Sequence, residues 1–250
     1  MNAHQTNPFL RWSFLRMMIG MPKLLKTWQV GDGREEKLVK YILQNAPKGD
    51  AARVLQAIDE FAWTQSFLIN VGDEKGQILD NAVKTKQPSH ILELGTYCGY
   101  SALRMAIVAP TANIVSVEIS EANAKISRAV HEHAGISDRV DVLVGSIGDD
   151  GQTIAALKSQ YASESSPFDF VFIDHDKKYY VSDLQGLLKN DLLESSAVVV
   201  ADNVKFPGAP DYLAYMDDNE GKLWRTKKHE THVEYQKLIE DLVLVSQRMH

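Results

Sequence analysis

The sequence predicts an α/β fold built on a mostly parallel sheet with helices on both faces. Three observations carry that prediction. Between residues 90 and 201, short apolar runs alternate regularly with stretches of helical periodicity. The apolar runs are continuous, as in strands buried on both faces of a parallel sheet. The first run ends in Glu93-Leu94-Gly95-Thr96-Tyr97-Cys98-Gly99-Tyr100-Ser101 and passes into the helical pattern of Ala102, Leu103, Met105 and Ala106. Strand, glycine loop and helix make the first half of a nucleotide-binding βα unit, although the spacing is not G-x-G-x-x-G. By itself the loop points to an adenosine-containing cofactor and does not say which one.

Taken in order, the chain opens with a segment unlike the rest. Phe9 to Ile19 is apolar but interrupted by Arg11 and Arg16. A membrane-spanning helix needs about 20 mostly apolar residues, so this is a poor anchor. No small-residue cleavage site follows, which weakens a secretory signal. With Lys23 and Lys26 nearby, contact with an anionic membrane surface is one reading. The plainer expectation is a helix packed on the domain or on a partner. Residues 1–32 are therefore read as an N-terminal extension and residues 33–250 as a single domain.

From Arg34 the pattern is helical, with Leu38, Val39, Ile42 and Leu43 on one stripe, stopped by Ala46-Pro47-Lys48-Gly49. Asp50 suits an N-cap for a second helix that turns Val54, Leu55, Ile58 and Phe61 inward. Residues 69–77 read as a loop entering a third helix through Ile78 and Leu79. Beyond Pro88, strands are expected at 90–94, 114–117, 140–144, 168–173 and 197–201. Helices are expected at 100–108, 121–134, 149–161, 179–189 and 210–216. The last stretch leaves no room for crossover helices. Residues 223–226, with either 233–238 or 242–245, should add an antiparallel edge.

The bulk numbers narrow the function classes. A net charge of −6 over 250 residues argues against a general nucleic-acid binder, which needs a basic face. Hydrophobic and charged fractions of 44% and 24% are ordinary for a soluble globule. The single cysteine, Cys98, excludes an intrachain disulfide framework and reads as a small apolar filler of the glycine loop. A cytoplasmic monomer or weak dimer acting on a small molecule is the expectation.

Ligands of an open α/β sheet bind beyond the carboxyl ends of the strands. The residues there are Glu93 and Gly95, then Glu118, then Gly145-Ser146-Ile147, then Asp174-His175-Asp176-Lys177, then Asp202-Asn203. Glu118 suits the hydroxyls of a ribose, a feature shared with nicotinamide-dependent dehydrogenases. Asp174, Asp202 and Asn203 end neighbouring strands, so three hard oxygen donors can converge in one site that suits Mg²⁺. Read as turn and cap residues they would have no such role. A nicotinamide-dependent oxidoreductase would explain the glycine loop and Glu118 but leave that convergence unemployed. A non-catalytic relative that has kept the cofactor fold is the other alternative.

At these residues the chain resembles the catechol O-methyltransferase family. The loop from Glu93 to Ser101 resembles its S-adenosylmethionine loop, and Asn70-Val71-Gly72-Asp73-Glu74-Lys75-Gly76-Gln77 its cofactor-covering segment. Ala201-Asp202-Asn203-Val204, then Pro207-Gly208-Ala209-Pro210-Asp211-Tyr212-Leu213-Ala214-Tyr215, resembles its metal and substrate loop, and Val233-Glu234-Tyr235 its late glutamate motif. The likeness runs from about Gly31 to the C-terminus. It implies a Rossmann-like methyltransferase with a seven-stranded sheet, and transfer of a methyl group from S-adenosylmethionine to one hydroxyl of a catechol. It also implies roles. Asp174, Asp202 and Asn203 would hold Mg²⁺. Lys177 would take the catechol proton, and Glu234 would hydrogen-bond the other hydroxyl. Val71, Glu93, Ser101, Glu118, Ile147, Asp174 and His175 would surround the cofactor, with Gly95 and Tyr97 supporting the loop. Phe67, Asp176, Asn203 and Pro207 would face the substrate.

The departures from the family pattern are specific. Asp176 and Phe67 stand where the family commonly has tryptophans, and Ile69 replaces a methionine. Gly145-Ser146-Ile147-Gly148 replaces a serine-glutamine pattern, which leaves Ile147 to meet adenine through its backbone or by apolar packing. A carboxylate at position 176 should favour catechols with a cationic amine tail.

Overall fold

Among the described residues, four helices come before the first strand: α1 (Trp12–Ile19), α2 (Arg34–Asn45), α3 (Ala51–Thr64) and α4 (Gly72–Lys86). Strands and helices then alternate through β1 (His90–Leu94), α5 (Tyr100–Val108), β2 (Asn113–Glu118), α6 (Glu121–Ala134), β3 (Val140–Val144), α7 (Gln152–Gln160), β4 (Phe168–Ile173), α8 (Tyr180–Lys189), β5 (Leu193–Ala201) and α9 (Pro210–Asp218). A final hairpin of β6 (Trp224–His232) and β7 (Glu240–Arg248) completes the chain. This computed structural model describes residues 11–20, 23, 29–162 and 166–249. Phe9, Leu10 and Lys26, part of the N-terminal expectation, lie outside the described residues.

The seven strands form one sheet in the order β3-β2-β1-β4-β5-β7-β6. The first five are parallel, and β7 runs antiparallel to both β5 and β6. The order reverses between β1 and β4, which opens a crevice at their carboxyl ends. One core packs α2 to α6 on the sheet through residues such as Leu38, Ile58, Leu79, Leu103 and Phe172. The opposite core packs α7 to α9 through Leu157, Leu184, Met216 and Leu244. Strand side chains alternate between the two, so Ile91 joins the first and Leu92 the second.

Several local expectations hold for the expected reason. Asp50 accepts a hydrogen bond from Arg53 N at 2.9 Å and caps α3. Cys98 is a free, buried thiol, and burial pushes its pKa well above the ordinary value, so it is inert packing.

Others shift. The third helix begins at Gly72, earlier than expected, because Asn70 Oδ1 accepts from Gly72 N at 3.1 Å and the acidic pair Asp73 and Glu74 fills its first turn. Asp149 lies outside α7 and caps it, accepting from Thr153 N at 2.9 Å. β5 begins at Leu193, since Phe168 pairs with Leu193 before the register shifts to Phe170 with Val198. Of the two placements for the last strand, β7 takes the later one, and the residues between β6 and β7 form a turn in which Gln236 Oε1 accepts from Leu238 N and Ile239 N.

The N-terminal helix packs on the domain. Phe14 meets Phe67 edge to face at 5.0 Å, and Ser13 Oγ accepts from Phe67 N at 3.1 Å. Among the described residues, no helix is long and apolar enough to cross a membrane.

Candidate active site

The crevice is floored by the glycine loop after β1. Gly95 has φ +99°, and a Cβ there would lie 2.6 Å from Asp174 O, so only glycine lets the loop pass the end of β4. Glu118, at the end of β2, accepts from Tyr97 N at 2.8 Å and Thr96 N at 3.2 Å on one oxygen, and from Ser120 N at 2.8 Å on the other. Burial pushes its pKa up, against the pull of those N–H groups. Tyr97 stands at φ +49° and donates its hydroxyl to Glu35 Oε1 at 3.0 Å. Glu93 is fully buried and accepts from the hydroxyls of Ser101 and Ser116. Burial pushes its carboxyl up to about 8, so it is protonated at neutral pH.

Three more residues expected at the cofactor come from the start of α4 and from the segments after β3 and β4. Val71 is buried at the start of α4. His175 faces Asp183 Oδ2 at 3.1 Å through Nε2 and lies 5.1 Å from the Tyr180 ring. Ile147 lines a cavity of about 630 Å³ together with Ile154, Tyr179 and Asp183, between α7 and α8.

A cluster of charges sits at the ends of β4 and β5. Lys75 Nζ, on α4 and fully buried, lies 2.8 Å from Asp202 Oδ2, 3.1 Å from Glu234 Oε2 and 3.0 Å from Asp241 Oδ2. Lys177 Nζ lies 2.9 Å from Asp174 Oδ1 and 5.1 Å from the centre of the Tyr180 ring. Burial disfavours the Lys75 ammonium, but Asp202, Glu234 and Asp241 outweigh it and hold its pKa well above the ordinary value. Burial pushes Asp202 up to about 7 in spite of Lys75, and it raises Asp174 and Glu234 as well. Four carboxylates thus share two ammonium groups, which leaves the site short of positive charge.

Asp241 ties the cluster to the loop after β5. Its Oδ2 accepts from Asn203 Nδ2 at 3.0 Å as well as from Lys75, and its Oδ1 accepts from Phe206 N at 3.0 Å. Asn203 stands at φ +55°, and its amide donates inward, which turns the carbonyl oxygen away from Asp241.

Sequence reasoning gave neither Lys75 nor Asp241 a role. Both carried a signal. Lys75 falls on the α4 stripe with Leu79 and Val83, and all three are buried. Asp241 is in phase with Val243 along β7, and both are buried. A charge on an apolar stripe is expected to be paired.

The residues expected to face the substrate are spread out. Glu234 and Asn203 lie within the cluster. Pro207 follows Phe206 in the short turn Val204–Gly208, beside it. Asp176 is paired with Lys178 Nζ at 2.9 Å. Phe67 is 1% exposed, enclosed by Phe14 and Tyr235, and does not stand open to solvent at a substrate mouth.

Residues 48–246 match the O-methyltransferase family. The chain belongs to that family. A protein of Mycobacterium tuberculosis described as a "Probable O-methyltransferase" is 51% identical over 92% of this chain and 99% of its own. The catechol O-methyltransferase of Bos taurus is 36% identical over 88% of this chain and 79% of its own. The fold matches an O-methyltransferase from Bacillus cereus crystallised with SAH at a TM-score of 0.61, with 23% identity, covering 85% of this chain and 90% of that one. Family membership makes the chain a methyltransferase and displaces the nicotinamide-dependent reading of its glycine loop.

Proposed function

We propose that this methyltransferase moves a methyl group from S-adenosylmethionine to one hydroxyl of a catechol, in a site that also takes Mg²⁺. The observation that carries the reading is the gathering of Asp174, Lys177, Asp202, Asn203 and Glu234 beside the glycine loop. Its likeness to catechol O-methyltransferases along most of the chain supports the same acceptor class.

The donor set suits a hard divalent cation. Asp174 and Asp202 offer carboxylate oxygens, and Asn203 has its carbonyl oxygen turned away from Asp241. Among the described residues, no three aspartate, glutamate, histidine or cysteine side chains form a metal cluster, and the third donor of the proposed set is the Asn203 amide. Burial, with the neighbouring carboxylates adding to it, raises Asp174, Asp202 and Glu234, and a dication would cancel the surplus of carboxylate over ammonium charge. When bound, the cofactor supplies the methyl electrophile and Mg²⁺ supplies Lewis-acid charge to the acceptor oxygens.

The chain's own residues do the positioning. Glu93, Ser101, Glu118 and His175 hold the donor at the glycine loop, with Ile147 and Val71 as apolar cover. Lys177 Nζ, aimed by Asp174, gives up its own proton once the cationic cofactor and dication are bound and, as the free amine, would receive that of the reacting hydroxyl, while Glu234, held by Lys75, orients the neighbouring hydroxyl. Pro207 shapes the acceptor side, with the buried Phe67 packed on Tyr235 behind it, and Asp176 presents a carboxylate beside it.

Dopamine and protocatechuate, incubated with S-adenosylmethionine, should each yield monomethyl ethers by mass spectrometry. EDTA should abolish the product and Mg²⁺ restore it. Full activity in EDTA would overturn the metal assignment, and no methylation of either catechol with Mg²⁺ present would overturn the acceptor class.

A further inference from the structure

We propose that α1, which lies ahead of the family match, forms a wall of the acceptor site, with Arg11 and Ser13 as positioning residues for Glu234 and Phe67. The inference rests on the reading of Glu234 as an acceptor-facing residue given above, with the buried Phe67 supporting it from behind through Tyr235.

Arg11, 8% exposed, donates from Nη1 to Tyr235 O at 3.1 Å and from Nη2 to Ala62 O. Its guanidinium lies 5.8 Å from the Trp63 ring and 5.5 Å from the Phe67 ring. Tyr235 follows Glu234 directly. Its own ring packs against Trp63 at 5.6 Å and Phe67 at 6.3 Å, and its hydroxyl donates to Asp59 Oδ1 at 3.0 Å. From the other side, Gly72 approaches so closely that a Cβ there would lie 2.7 Å from Glu234 Cβ. Glu234 therefore sits between two cationic anchors: Lys75 holds its carboxylate, and Arg11 holds the carbonyl of the next residue.

Phe67 is held by the same helix. Its N–H donates to Ser13 Oγ at 3.1 Å, and its carbonyl accepts from Arg34 Nη1. Arg34 Nη2 in turn donates to Ser13 O at 2.9 Å, and Arg34 Nε to Asp32 Oδ1 at 2.9 Å. Both backbone groups of Phe67 are thus fixed through Ser13 and Arg34.

The composition of the buried face separates this from ordinary cover. A helix that merely packs buries its apolar stripe and leaves its charges in water. α1 instead leaves Trp12 and Ile19 66% and 73% exposed, while Ser13 is turned inward and Arg11, the residue before it, is buried too. Besides the apolar contacts of Phe14 and Met17, α1 and its N-cap bring the domain hydrogen bonds to the segments that carry Phe67 and Tyr235. A buried guanidinium without those carbonyl acceptors would be costly, so the helix and the two segments constrain one another.

The test uses full-length Ser13→Ala, Arg11→Met and Arg11→Lys. Each is assayed for acceptor KM and kcat with protocatechuate, for the ratio of its two monomethyl ethers, for S-adenosylmethionine Kd by calorimetry, and for Tm. Arg11→Met should raise acceptor KM about tenfold, or about 1.4 kcal/mol, and Ser13→Ala about threefold. Both should move the ether ratio while cofactor Kd stays within about twofold. Arg11→Lys, which keeps a donor, should recover part of the loss. An unchanged acceptor KM and ether ratio in Ser13→Ala and Arg11→Lys would overturn the proposal, as would acceptor KM and cofactor Kd rising together. If Arg11→Met does not fold, the other two variants decide. Failure of the wild-type protein to methylate protocatechuate refutes the proposed function instead, so the two failures are distinct.

Discussion

Replacing Glu93 with glutamine should stabilise the protein in alkaline solution and change little near pH 5. The carboxyl has an ordinary pKa of 4.5 and is pushed up to about 8 by complete burial, with the Ser101 and Ser116 hydroxyls pulling the other way. In the unfolded chain it loses its proton near the ordinary value, whereas the folded chain holds that proton up to about 8. Between those limits the folded state binds more protons, so stability falls as pH rises, by about 1.4 kcal/mol per unit. Over the whole window the loss is on the order of 4 kcal/mol, fully present only above the folded pKa. Glutamine has the same shape, accepts from a serine hydroxyl and never ionises, so its variant lacks that slope. For a chain of this size the difference corresponds to a Tm higher by about 10 °C near pH 9. Thermal unfolding of both proteins by circular dichroism, without cofactor, from about pH 5 to about pH 9, measures it. Curves that stay parallel across the range would refute the buried, protonated Glu93.

Three further outcomes are expected. Lys75→Met should destabilise by about 3–5 kcal/mol in urea, because it strands three buried carboxylates. A loss below about 1 kcal/mol would mean the cluster is not held by this lysine. Lys177→Ala should lower kcat by about 10²–10⁴ while calorimetric binding of S-adenosylmethionine is retained, and near-full turnover would remove Lys177 from proton transfer. Asp176→Trp should shift preference from dopamine toward protocatechuate, by no more than about threefold, since Lys178 already pairs with Asp176 near the surface. An identical ratio of kcat/KM would show that this carboxylate does not select the acceptor.

The strand pattern and the motif residues were legible because each depends on near neighbours in the chain. Apolar runs of five or six residues name buried strands, and residues at strand ends share one edge of a parallel sheet whatever the loops do. Two helix boundaries moved where a side chain bonds nearby backbone, as Asn70 does before α4 and Asp149 before α7. Such local competition is weakly encoded in periodicity. The placement of β7 turned on Gln236, which organises the preceding turn with hydrogen bonds that no apolar pattern announces.

The sequence by itself determined the sheet, the glycine loop after β1 and the acidic residues that close its strands, since these follow from hydrophobic period and from the chemistry of residue types. Only the tertiary structure decided that Lys75, from a helix before the sheet, and Asp241, from its last strand, meet within 3.0 Å beside Asp202. Only it decided that Arg11 reaches the carbonyl of Tyr235, 224 residues away. The physical reason is the same in both cases. A buried charge must find partners, yet the partners are chosen by where the chain returns, which is a property of the packed fold and not of any local stretch.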